Sequence, residues 1–150
     1  MIRNVVILLL IMVTFAQARV VTRITLPPPV PTTYNIHVVN GLTNVGLIVH
    51  CQSKDNDLGT HNLLNRGDEY QWNFKENIWG TTLFWCRFEK SGAYVSFDSF
   101  WPESKKNRWL RERCRNGVEG TCIWTAKEDG IYLFNFPSRT DELVHKWIFT

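Results

Sequence analysis

From Tyr34 to the C-terminus, hydrophobic and polar positions repeat with a period of two. Tyr34, Ile36 and Val38 alternate with Asn35 and His37, and Leu47, Val49 and Cys51 alternate with Ile48, His50 and Gln52. Tyr70, Trp72 and Phe74 alternate with Glu69, Gln71, Asn73 and Lys75, the cleanest amphipathic pattern in the chain. Phe84, Cys86 and Phe88, then Val95 and Phe97, then Cys122, Trp124 and Ala126 continue it, followed by the apolar runs 131–136 and 143–149. Successive side chains of a strand point to opposite faces, so this pattern predicts about eight short strands with one buried face each. Asn40-Gly41, Asp57-Leu58-Gly59, Asn65–Asp68, Ser91-Gly92, Asn116-Gly117 and Asp129-Gly130 separate them with residues that tolerate tight turns. No window carries a 3.6-residue period over three helical turns. The expected fold is an all-β, antiparallel β-sandwich.

The first 33 residues break this pattern. Arg3, the apolar run Val5–Val13 and the small-residue pair of Ala16-Gln17-Ala18 form a secretory signal peptide pattern, cut after Ala18. The run is too short to span a bilayer, which takes roughly 20 apolar residues, so stable membrane insertion is not expected. Residues 19–33 hold four of the six prolines and predict an extended lead-in; residues 34–150 form one domain. Cleavage leaves 132 of the 150 residues, with 16 basic and 14 acidic groups. That near-neutral balance and the export signal argue against nucleic acid as a partner.

Four cysteines, Cys51, Cys86, Cys114 and Cys122, remain in a small exported chain, which predicts two disulfides. Cys51, Cys86 and Cys122 lie on the apolar phase of their strands, and Cys114 lies in a polar loop. Four cysteines permit three pairings, and sequence does not choose among them. The closeness of Cys114 and Cys122 is compatible with a staple from a loop to its next strand.

The segment HCQSKDNDLGTH (50–61) concentrates two histidines, two aspartates and a cysteine. Calcium-loop register fails: counting from Asp55, glycine falls at the fifth place and Arg66 at the twelfth. No zinc-ligand spacing is present, and residues 53–60 are expected to be a polar connection. A nuclease would need two positioned histidines, with His50 and His61 as candidates, but no nucleophile motif accompanies them. No catalytic residue, metal or cofactor is expected. The run ESKKNRWLRERCR (103–115) is the strongest charge feature. It reads as a solvated loop or as a basic patch for an acidic partner, with Lys105, Lys106, Arg108, Trp109 and Arg111 as candidate contacts. Seven tryptophans allow a further reading, a carbohydrate-binding module using Trp79, Trp101 or Trp109.

HCQSKDNDLGTHNL (50–63), YQWNF (70–74), GTTLFWCRF (80–88), SFDSF (96–100) and CIWTAKEDGIYLF (122–134) resemble the plant self-incompatibility proteins and their S-protein homologues. The resemblance runs from Tyr34 to about Trp147, with the segments in the family's order. It implies a small secreted β-sandwich with two intrachain disulfides from Cys51, Cys86, Cys114 and Cys122. It also implies recognition rather than catalysis: the founding members are stigma-secreted ligands that act on incompatible pollen through a membrane partner. The chain is expected to act as a monomer on a cell-surface protein, and the loops at 53–60, 65–68, 89–93, 102–117 and 137–142 are the expected contacts because of their polarity and varied charge. The role could lie in pollen rejection, development or defence. Two features depart from the family: EKSGAYV after Phe88, where many members carry an aromatic, and the heavy basic run 103–115.

Overall fold

The computed structural model describes residues 33–102 and 105–150. The leader and all but the last residue of the proline-rich segment lie outside the described residues. Among the described residues, eleven strands and one short helix follow in the order β1 (Thr33–Asn40), β2 (Leu47–Gln52), β3 (Asp57–Leu63), β4 (Glu69–Lys75), β5 (Phe84–Lys90), β6 (Ala93–Phe100), α1 (Arg108–Arg113), β7 (Arg115–Asn116), β8 (Glu119–Lys127), β9 (Gly130–Asn135), β10 (Thr140–Lys146) and β11 (Ile148–Phe149). One sheet has the order β10-β9-β8-β1-β4, with β7 also paired to β8; the other has the order β11-β6-β5-β2-β3. Every pairing is antiparallel except β1 with β8. Parallel neighbours cannot be joined by a hairpin, and here everything from β2 to β7 lies between them.

The expected alternation is the observed one. Tyr34, Ile36, Val38, Leu47, Val49, Phe88, Trp124 and Leu133 are fully buried between the sheets. On β4, an edge strand, Tyr70, Trp72 and Phe74 are only half-buried. Aromatic rings tie the layers together: Tyr34 meets Phe100 at 4.6 Å between ring centroids, and Phe97 meets Trp124 at 5.0 Å. The Trp124 indole N–H donates across the sandwich to the Ser99 carbonyl at 3.0 Å. Both disulfides form. Cys51–Cys86 joins directly opposed residues of β2 and β5, with Cα atoms 4.1 Å apart. Cys114–Cys122 joins the end of α1 to β8. By loop-closure entropy the first contributes about 4 kcal/mol and the second about 2.5 kcal/mol.

Several expectations need correction. Residues 53–60 are not one connection: the turn occupies only 53–56, closed by the Ser53 N–H bonding to the Asn56 carbonyl at 2.8 Å, and β3 starts at Asp57. As an edge strand, β3 fully buries only Leu63, so no alternating apolar signal marks it. The run 143–149 is not one strand. The chain leaves β10 and enters the other sheet as β11, with Trp147 buried at the crossing and its indole N–H bonded to the Lys127 carbonyl. Cys114 is not in a polar loop but is fully buried at the C-terminal end of α1.

Asn40, read from sequence as half of a turn, is instead a buried junction. Its amide donates to the carbonyls of Val45 (3.1 Å) and Leu63 (2.9 Å), and its Oδ1 accepts from the Leu42 N–H (2.9 Å). Its backbone bonds Asp68 and Gly67. One side chain thus ties the end of β1 to the end of β3 in the other sheet, and a buried polar group with all its bonds made is tolerated.

His145 packs against Phe97 (4.7 Å) and Trp124 (6.0 Å). Burial pushes its pKa below the usual histidine range, and Asp98 opposes the shift. The fold therefore favours the neutral ring. That contribution is complete above the unfolded value near 6.5 and is lost as pH falls through the lower folded value. Calorimetric scans should show the melting temperature dropping as pH falls below about 6.5, and His145→Phe should remove that part of the pH dependence, whatever its absolute stability. An unchanged pH profile in the variant would exclude His145 as the cause.

Candidate functional site

Within the basic run, residues 108–113 fold as α1, a six-residue helix, rather than as a solvated loop. It carries no acidic residue in its first turn and no capping side-chain bond, while Arg111 and Arg113 in its last turn suit the negative end of the helix. So short a helix does not hold itself together in water; its anchors do. Leu110 is fully buried, and Cys114 is bonded to β8. The Asn107 amide, also buried, donates to the Trp101 carbonyl at 3.0 Å. The Trp109 ring stacks on Trp101 at 6.0 Å between centroids. The Phe136 N–H bonds the Arg113 carbonyl at 3.0 Å, fixing the helix end to the chain after β9.

These anchors sort the basic residues into two groups. Arg111 turns inward and bonds Glu76 at 2.6 Å; their side chains are 14% and 7% exposed. Arg113 bonds Glu142 at 2.5 Å and lies over the Trp109 ring at 4.1 Å. Arg113 and the Asn135 amide together hold the Glu142 carboxyl below its usual range, the Asn135 bond contributing most. On the outside, Arg108 pairs with Glu112 one turn along, at 2.7 Å and 88% exposed. Lys105 reaches Asp98 at 3.1 Å. Lys106 is exposed at φ 58° and has no carboxylate partner among the described residues. Of the five candidate contacts, Lys105, Lys106 and Arg108 therefore form an outer basic edge. Arg111 and Trp109 are fixed into the framework beneath it.

The histidines of 50–61 are engaged separately. His50 Nε2 bonds Asp57 Oδ1 at 2.7 Å, and the same oxygen accepts the Gly59 N–H at 2.9 Å. The Gly59 N–H, then His50, holds the Asp57 carboxyl below its usual range. His61 bonds the Leu58 carbonyl at 2.8 Å and stacks on Tyr70 at 3.5 Å. Among the described residues no group of three His, Cys, Asp or Glu is placed to hold a metal. Of the three candidate sugar-stacking tryptophans, Trp101 and Trp109 cover each other, while Trp79 stands 80% exposed beside Ile78 at 90%.

The loops 102–117 and 137–142, separate in the sequence, meet in the fold. A cleft of about 400 Å³ opens between β7 and the chain after β9, lined by Arg115, Asn116, Phe134, Phe136, Pro137 and Arg139. Its parts come from segments about twenty residues apart that only the fold of β8 and β9 brings together. The same holds for Glu76, which nothing in the sequence marks as the partner of Arg111.

The profile of the family described as plant self-incompatibility protein S1 matches residues 35–147. S-protein homolog 1 of Arabidopsis thaliana is 43% identical over 115 residues, covering 76% of this chain and 71% of that relative. S-protein homolog 74 of the same plant is 41% identical over 117 residues, with the same coverage. A solved structure of SPH (self-incompatibility protein homologue) proteins, described as a widespread family of small, highly stable, secreted proteins from plants, superposes with a TM-score of 0.58 at 20% identity. That match covers 78% of this chain and 96% of the other, and at this identity it speaks for the fold.

The sorting of the arginines has a direct test. Arg111→Ala removes the cation from the buried Glu76 pair and should cost roughly 3 kcal/mol in urea unfolding, as expected when one partner of a buried pair is removed. Arg108→Ala should leave the urea midpoint unchanged. Equal effects of the two substitutions would contradict the division.

Proposed function

The chain belongs to the plant self-incompatibility protein S1 family, and from that premise we propose that it is a secreted, non-catalytic recognition protein that acts on a cell-surface partner. The observation that carries this reading is the way α1 is mounted. Leu110, the Cys114–Cys122 bond and the Arg111–Glu76 pair hold the helix to the sandwich, so Lys105, Lys106 and Arg108 are presented from a fixed base. A preorganised edge on which three cations outnumber the two carboxylates they meet, Asp98 and Glu112, favours an acidic partner and loses little ordering entropy on contact.

Secretion is supported by the leader pattern at residues 1–18 and by the description of the related solved structure as one of a secreted family. The absence of a catalytic role is supported by His50 and His61 each being committed to its own local partner. Function on such a scaffold belongs to its exposed rims. A membrane protein or receptor with an acidic outer surface is the partner this edge suits, and the protein acts on it as a monomer.

Labelled mature protein should bind saturably to wall-free plant protoplasts, more weakly as salt rises. The variant Lys105→Ala/Lys106→Ala/Arg108→Ala should keep its melting temperature and lose about tenfold or more in affinity, with a flatter salt dependence. Unchanged binding by the triple variant would reject the basic edge as the contact surface.

A further inference from the structure

The cleft beside β7 combines two chemistries. Arg115 and Arg139 both line it, and among the described residues no carboxylate does. The acidic groups near the base of α1 are already engaged: Glu142 with Arg113 and Asn135, Glu112 with Arg108. Arg115 Nε is closed off from solvent and has no acceptor among the described residues. Arg139 sits in the left-handed backbone region at φ 56°, which a residue with a β-carbon seldom adopts.

The other walls are aromatic. Phe134 and Phe136 meet edge to face, with centroids 5.0 Å apart and planes at 89°, and both are only half-buried. Pro137 extends this apolar floor, and Asn116 adds a neutral hydrogen-bonding group. The volume lies within the range of small-ligand sites. Guanidinium groups match a planar carboxylate with two parallel bonds, and aromatic faces take the apolar face of a sugar ring. A ligand that uses both walls is a ring bearing a carboxylate.

We propose that this cleft is a binding site for an acidic sugar, a uronate unit whose carboxylate lies between Arg115 and Arg139 and whose ring rests on Phe134 and Phe136. This goes beyond the cell-surface reading and does not depend on it. It involves a different face of α1's surroundings and a glycan instead of a protein, and it gives the chain a way to be retained in an acidic polysaccharide matrix.

The full oxidised mature chain, labelled with nitrogen-15, should be titrated with a short oligogalacturonate, its fully methyl-esterified counterpart and inorganic phosphate. The expected result is saturable binding of the oligogalacturonate, with amide shifts confined to residues 115–117 and 134–139. The ester and phosphate should each bind at least about tenfold more weakly, since one lacks the charge and the other the ring. Arg115→Gln and Arg139→Gln should each weaken oligogalacturonate binding by a similar factor. Arg139 lies in an exposed turn, so its variant carries the test if Arg115→Gln fails to fold. No binding, shifts elsewhere, or affinity unchanged in Arg139→Gln would overturn the proposal. Equal binding of the ester would overturn the role of the arginines, and equal binding of phosphate would reduce the site to a bare anion patch. No cell is present, so failure here is separate from failure of protoplast binding.

Discussion

The structure depends on the register of β8. Its inward positions are Gly120, Cys122, Trp124 and Ala126, and each is committed to a different part of the molecule. In the parallel pair they stand beside Tyr34, Ile36, Val38 and Asn40. Gly120 lies so close to the Tyr34 ring that a β-carbon there would fall 2.2 Å from it. Cys122 holds α1, the Trp124 indole crosses to the other sheet, and the Ala126 carbonyl accepts the Gly41 N–H at 2.8 Å. A slip of one residue would turn all four outward at once. The two-residue side-chain period therefore fixes far more than the burial of one strand.

The helix is the main consequence. The segment after β6 has too few residues in regular structure to be stable alone. It is ordered because β8 presents a sulfur to its C-terminal end and the sandwich presents a socket for Leu110. Once it is ordered, a run of like charges becomes two populations. Arg111 and Arg113 face carboxylates on the framework, and Lys105, Lys106 and Arg108 remain outside. Backbone pairing of β8 with both β7 and β9 places β7 beside the chain that follows β9, where the arginine-lined cleft opens. Both candidate recognition surfaces thus depend on β8.

Much of this was legible before any coordinates. The alternation at Tyr34–Val38, Leu47–Cys51, Phe84–Phe88 and Cys122–Ala126 predicted the buried faces because a strand packed on one side must alternate. The inward phase of Cys51 and Cys86 agreed with the bond they form across β2 and β5. What stayed hidden has physical reasons. The strand β3 lies at a sheet edge and buries little, so its residues carry no period. The last strand run divided because Trp147 is apolar for the sake of a crossing between sheets, which looks the same in sequence as a strand interior. Six residues do not complete two helical turns, so α1 had no periodic signature, and Cys114 looked exposed because charged neighbours surround it. The inward role of Arg111 depends on Glu76, far away in sequence. No local pattern announces such a pair, and the cleft around Arg115 and Arg139 was hidden for the same reason.

The most direct measurement is native-state hydrogen exchange on the oxidised protein, read at the amides of Arg111, Cys114, Thr121 and Phe136. These bond Asn107, Leu110, Cys114 and Arg113 respectively, and together they report whether α1 is part of the framework. If β8 anchors the helix as described, all four should exchange only through global unfolding, with the same free energy as the core amides of β8. Exchange of the α1 amides at the rate of the 53–56 turn while β8 stays protected would show a loosely tethered helix, and the account of a fixed recognition edge would be wrong.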